Sequence, residues 1–175
     1  RDLKLFEFGK EYRLKKNKYA EEMHLALWLT GLNEMESWTT ESRQVEYQDI
    51  SGPVGQILEK MNITEIETVK STNPIFQYGL AIMKNEQLLG ECGLIKSSLT
   101  KPHGIKQQIF YADFNWDLLL RQTSHNIIVE RVSRFPEVRR DLSLVIDRNI
   151  QYKDILALAK KTERKFIKDV NVFDL

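Results

Sequence analysis

The chain has 175 residues, of which 42% are hydrophobic and 29% charged, the profile of an ordinary soluble globular protein with room for one sizeable domain and part of another. No apolar run approaches the ~20 residues that a helical membrane span requires. A single cysteine, Cys92, excludes an internal disulfide framework and agrees with a reducing, cytoplasmic setting. The net charge of +1 is unevenly spread, with 11 Lys/Arg against 8 Asp/Glu in residues 130–175 and 15 against 17 in residues 1–129. This permits a nucleic-acid partner for the C-terminal part without requiring one. The chain opens at Arg1 with neither a methionine nor a charged-then-apolar leader, and reads as a piece of something longer.

In chain order, Leu3–Leu14 alternates as a strand, and Lys15–Lys18 reads as a solvated turn. Met23–Thr30 is a nearly continuous apolar strand closed by Gly31, which predicts a central place in a sheet. Leu32–Glu46 is polar, with Trp38 expected to fold back as an anchor. A helix is predicted over Gly52–Met61, with Ser51 as cap, Pro53 in the first turn, and Val54, Ile57, Leu58 and Met61 on one face. Strands follow at Ile66–Lys70, Phe76–Lys84 and Gln87–Ile95, the last two joined by an Asn85-Glu86 turn that lacks the usual glycine. Ser97–Lys106 reads as a loop, Ile109–Trp116 as a strand, Asp117–Arg121 as a short helical turn and Ser124–Ile128 as a link. Residues 1–129 therefore predict an α+β layer, an antiparallel sheet with a packed helix.

The remainder, residues 130–175, reads as a β-α-β unit. Leu142, Leu144 and Ile146 alternate with Ser143, Val145 and Asp147. A helix is expected over Gln151–Phe166, with Ile155, Leu158, Ala159, Thr162 and Phe166 on one face, and Val170–Phe173 alternates again. Arg134, Arg139 and Arg140 precede the first strand, while Lys160, Lys161, Arg164, Lys165 and Lys168 crowd the far end of the helix. Two uses stand side by side for these cations. They can contact phosphates of a nucleic acid, or they can complement the helix dipole and pair with Asp141, Glu163 and Asp169. Phe135 and Phe166 can likewise stack on bases or pack inward.

Elsewhere the chemistry is sparse. His24 lies in an apolar strand and reads as a core or edge residue. His103 and His125 have no second His or Cys at ligand spacing, so no metal site is assigned. Cys92 between glycines reads as a small buried hydrophobe. Gly52–Gly55 at a helix start can offer backbone N–H groups to a phosphate, but lacks the Lys and Ser/Thr of a phosphate-binding loop. No catalytic residue is assigned.

One stretch is far more specific. RFPEVRRDLSLVID at Arg134–Asp147, followed by a helix and then KDVNVFDL, resembles the start of the ferredoxin-fold anticodon-binding domain that closes the β subunit of bacterial phenylalanyl-tRNA synthetase. Upstream, LFEFGKEY, the strand ending LTG, the Trp-containing loop, the helix after YQDISG, GECGLI and IFYADFNWDLLL resemble, in the same order, that subunit's synthetase-like core. The chain departs from the family at Lys96-Ser97, where a His-Pro is usual.

The resemblance implies a class II synthetase-like, non-catalytic lobe over 1–129 and the first half of a truncated ferredoxin-like domain over 130–175. It implies the α subunit and tRNA as partners, with Arg134, Arg139, Arg140, Lys161, Arg164, Lys165 and Lys168 as candidate tRNA-binding residues. No cofactor belongs to this chain itself. ATP and Mg2+ belong to the whole enzyme, whose magnesium-associated carboxylates lie upstream of Arg1. Truncation also leaves open an artificial self-association through an exposed sheet edge. The competing reading is a free-standing structural or interaction protein that uses an exposed sheet and binds no RNA.

Overall fold

Two strands of 13 residues each, β1 (Leu3–Lys15) and β2 (Lys18–Thr30), form a long antiparallel hairpin in the computed structural model, which describes residues 2–15, 17–34, 37–39, 41–124 and 135–172. Asn17 takes a left-handed φ of 59° at the hairpin turn, a conformation that asparagine tolerates better than most residues. Cross-strand pairing with β1 extends β2 five residues upstream of the apolar run that marks it in the sequence. Next come helix α1 (Tyr47–Lys60), β3 (Glu67–Lys70), β4 (Phe76–Lys84), β5 (Gln87–Ile95), the short α2 (Ser97–Thr100), a 3-10 turn over Lys101–His103, β6 (Ile109–Asn115) and α3 (Trp116–Gln122). The β4–β5 turn places Asn85 and Glu86 at φ 49° and 62°, the double left-handed turn that matches strand twist, achieved without glycine.

The six strands form one antiparallel sheet in the order β1-β2-β6-β5-β4-β3. Because side chains alternate, each strand gives one set to each face. Leu25 and Leu29 of β2, Phe110, Ala112 and Phe114 of β6, and Cys92 and Leu94 of β5 share one face and are buried beneath α1 and α3. From α1 come Ile50, Val54 and Leu58, and from α3 Leu119. Each fully buried aliphatic or aromatic side chain contributes roughly 1.5–3 kcal/mol. Neither α1 nor α3 packs on the opposite face of the sheet, which presents His24, Trp28, Glu91, Tyr111 and Asp113.

Helix α1 starts earlier than the sequence predicts. The N-cap is Glu46 rather than Ser51, and its backbone N–H donates to Asp49 Oδ2 at 2.7 Å. Asp49 in turn receives both terminal nitrogens of Arg43, at 2.7 and 2.8 Å. This paired fork fixes the helix start one turn before Gly52. Pro53 and Gly52–Gly55 therefore lie inside the helix. The N–H groups of Gly52, Val54 and Gly55 are not at a helix terminus, and the phosphate-binding option for them falls. Trp38 does not fold back as an anchor; it is 98% exposed. The Ser97–Lys106 loop contains the α2 and 3-10 turns, closed by Gly104 at φ 72°.

The chain divides into two compact units, Arg1–Ile128 and Val129–Leu175. Among its described residues, 135–172, the second contains α4 (Tyr152–Thr162) and otherwise irregular or turn backbone. Leu142–Asp147 and Val170–Val172 carry the alternation of strands but form no ladder among the described residues. Alternation creates two faces, whereas a strand also needs a neighbour's backbone to satisfy its N–H and C=O groups. Phe173 lies outside the described residues.

Candidate nucleic-acid interface

Helix α4 is opened by Asp154, which accepts the N–H of Gln151 at 3.3 Å, and it runs for three turns with Lys160 and Lys161 in the last. It stops at Thr162, not at Phe166. Glu163 turns extended, and its Oε1 accepts the N–H groups of Lys165 and Phe166 at 2.8 and 3.1 Å. A side-chain acceptor thus captures donors that a continuing helix would have used. Arg164, Lys165 and Lys168 accordingly follow the helix and do not extend its cationic stripe.

The candidate cations fall into two groups. Arg139 Nε lies 3.2 Å from Asp141, and Lys168 Nζ lies 2.9 Å from Glu137. Lys168 holds the Glu137 carboxyl below its usual range, chiefly through that hydrogen bond. Both pairs are exposed, and such pairs contribute little to stability. Arg140, Lys161 and Arg164 are exposed with no carboxylate at ion-pair distance among the described residues. Lys165 sits 5.4 Å from the ring centre of Phe166, itself 76% exposed. A cation beside an exposed ring offers charge and a stacking surface together. Arg134 lies outside the described residues. The arrangement can bind a polyanion; it brings no nucleophile or acid–base pair together.

In the first unit, Cys92 is buried with its sulfur 3.3 Å from the Tyr47 hydroxyl, and burial pushes its thiol up, away from the reactive thiolate. An open groove of about 410 Å3 on the uncovered sheet face is lined mainly by Trp28, Ile75, Ile95, Leu99 and Tyr111. No carboxylate or lysine lines it. Sequence reading missed the meeting of His24 with Asp113, 2.9 Å apart, because metal and catalytic motifs are sought at short spacing. The usable signal was strand parity, which puts both side chains on the same face.

A family model described as "Phenylalanyl tRNA synthetase beta chain CLM domain" matches residues 1–116, and one described as "Ferredoxin-fold anticodon binding domain" matches residues 133–175. Phenylalanine–tRNA ligase beta subunits from Bacteroides thetaiotaomicron and Porphyromonas gingivalis are 34% and 30% identical over 99% of the chain. The chain spans 23% of the length of each. A solved pyrrolysyl tRNA synthetase from Desulfitobacterium hafniense superposes with a TM-score of 0.50 at 21% identity, over 69% of this chain and 41% of that one, a likeness of fold alone. With its sheet unit matched over residues 1–116, the chain belongs to the phenylalanyl-tRNA synthetase beta chain family.

Proposed function

We propose that this chain serves as part of the β subunit of a phenylalanine–tRNA ligase, and that it supports charging without supplying catalytic groups. The sheet unit, residues 1–129, packs on the α subunit, and residues 130–175 contact tRNA as part of the anticodon-binding domain. Phenylalanine activation with ATP belongs to the cytoplasmic assembly. The observation that carries this reading is co-linearity: a core-domain match and an anticodon-domain match follow one another in a single chain.

ATP and magnesium are assigned to the assembly because the sheet's uncovered face does not fit a triphosphate. It presents Glu7, Glu11, Glu91 and Asp113, and the Arg13 guanidinium there is bound to Glu11 at 2.8 Å. That face repels polyphosphate. Docking is supported by Phe6, Tyr12, Leu14 and Tyr19, which stand on the helix-bearing face of the hairpin at 72, 64, 64 and 83% exposure. An apolar patch of this kind marks an interaction surface. The same patch favours the second reading, an interaction protein that binds no RNA.

Titration of the chain with cognate tRNA across a salt series separates the two. Affinity should fall with salt, and Arg140→Ala with Lys161→Ala should flatten the slope by roughly 0.7–0.9 for each phosphate that is no longer neutralised. Absence of tRNA binding at low salt by the folded chain, with α-subunit capture retained, would favour the second reading.

A further inference from the structure

Three side chains far apart in sequence meet on the uncovered face of the sheet: Glu11 of β1, His24 of β2 and Asp113 of β6. Strand register brings them there, since Gly9 lies opposite His24 and Ala26 lies opposite Asp113. The His24 side chain is only 10% exposed. Its Nδ1 sits 2.9 and 3.1 Å from the two Asp113 oxygens, the geometry of an N–H donated to a carboxylate. That bond fixes the ring and turns Nε2 toward Glu11 Oε2, 3.7 Å away. Nε2 is buried and has no hydrogen-bond partner.

With Nδ1–H donated to Asp113, the second ring nitrogen, Nε2, is the atom that faces the Glu11 carboxylate oxygen. Two electron-rich atoms aimed at each other need a cation between them, and 3.7 Å is long for a bridging proton. It suits a metal. Ligand bonds of ~2.0–2.2 Å to nitrogen and oxygen at a tetrahedral angle separate the two donor atoms by roughly 3.4 Å. A histidine whose other nitrogen is held by a carboxylate is also the arrangement that metal-binding histidines adopt, because it fixes the tautomer and raises the basicity of the ligand.

We propose that His24 Nε2 and Glu11 bind a divalent transition-metal ion of the zinc type, with Asp113 as the positioning carboxylate. Imidazole and carboxylate together suit zinc better than magnesium or calcium, which take oxygen ligands. The Glu11 side chain is 44% exposed, so the ion enters from the β1 edge and water completes its shell. Arg13 Nη2, now 2.8 Å from Glu11 Oε2, is the competitor that the ion must displace. A bound ion would tie the edge strand β1 to β2.

The test uses the whole chain, stripped with chelator and dialysed against zinc chloride, with bound zinc and melting temperature as readouts. One zinc per chain, accompanied by a rise in melting temperature, is the expected result. Asp113→Asn should weaken binding by about 10–100-fold, the usual effect of losing a positioning partner. His24→Ala and Glu11→Gln should lose the site, and Glu11→Gln, at an exposed edge, keeps the test readable if His24→Ala fails to fold. His103→Ala, in the apolar groove, should change nothing. Zinc bound equally by Glu11→Gln, lost instead in His103→Ala, or not bound at all would overturn the proposal and leave Nε2 to a proton.

Discussion

Single residues govern both the start of α1 and the charge of the second unit. Asp49 carries two loads, the N–H of Glu46 and the Arg43 fork, and the Arg43 hydrogen bond does most to hold its carboxyl below the usual value. An ordinary aspartate titrates near ~3.9. A lowered folded value means that the stabilisation is fully present above that pH and lost as pH falls below it toward the folded value. Asp49→Asn should therefore cost roughly 0.2–1 kcal/mol in urea unfolding at pH 7, and the gap should close as the pH is taken below ~4. A gap that does not change with pH would mean that the ion pair adds nothing. The residues around this pair were visible in the sequence, but their joint role was not, because Ser51 is by type the better cap and only three-dimensional pairing favours Glu46. The cations behave likewise. Asp141 was foreseeable as a partner for Arg139, whereas Lys168 pairs with Glu137, 31 residues away, and not with the adjacent Asp169.

At the scale of elements, strands in the first unit were legible where alternation or a continuous apolar run marks them. β4 and β5 fall where the apolar runs on either side of the Asn85-Glu86 turn put them, because composition and turn agree. Helix α1 was less legible, since Gly52, Pro53 and Gly55 read as a helix opening yet stand within it. That placement has a measurable consequence. A Cβ built on Gly55 meets nothing within 4 Å, so Gly55→Ala should raise stability by roughly 0.5–1 kcal/mol through backbone entropy. Gly93 presents the opposite case. A Cβ there would lie 2.3 Å from the Tyr78 carbonyl oxygen and 2.6 Å from Gly79 Cα, backbone atoms of the paired strand. Gly93→Ala should therefore lower the unfolding midpoint, while Gly55→Ala raises it. Equal shifts in the two variants would refute the helix placement and the close strand approach together.

At the scale of the molecule, the two units are held together by different means. The first has a continuous core in which Ile50, Leu89, Ala112, Phe114 and Leu119 are fully buried. In the second, no described residue reaches that state, and Phe135, Leu142, Val145, Leu158 and Phe166 are 83, 76, 105, 63 and 76% exposed. The alternation in Leu142–Ile146 was readable because a face is a local property. Its pairing was not, since a ladder depends on backbone elsewhere. An 11-residue helix without burial is marginal in water, because nucleation is costly and tertiary packing usually supplies its stability. Amide hydrogen exchange should therefore protect β2, β5 and β6 up to the global unfolding free energy, whereas α4 and the segments around it exchange at low free energy. Shortening the chain to residues 1–124 should leave its melting temperature within a degree or so of the full chain, as the core it removes is small. Under the proposed tRNA contact, ordering of the second unit becomes part of the binding free energy, so saturating tRNA should slow exchange in α4 and leave the sheet unchanged. Strong protection of α4 in the free chain would instead require that unit to possess a core of its own.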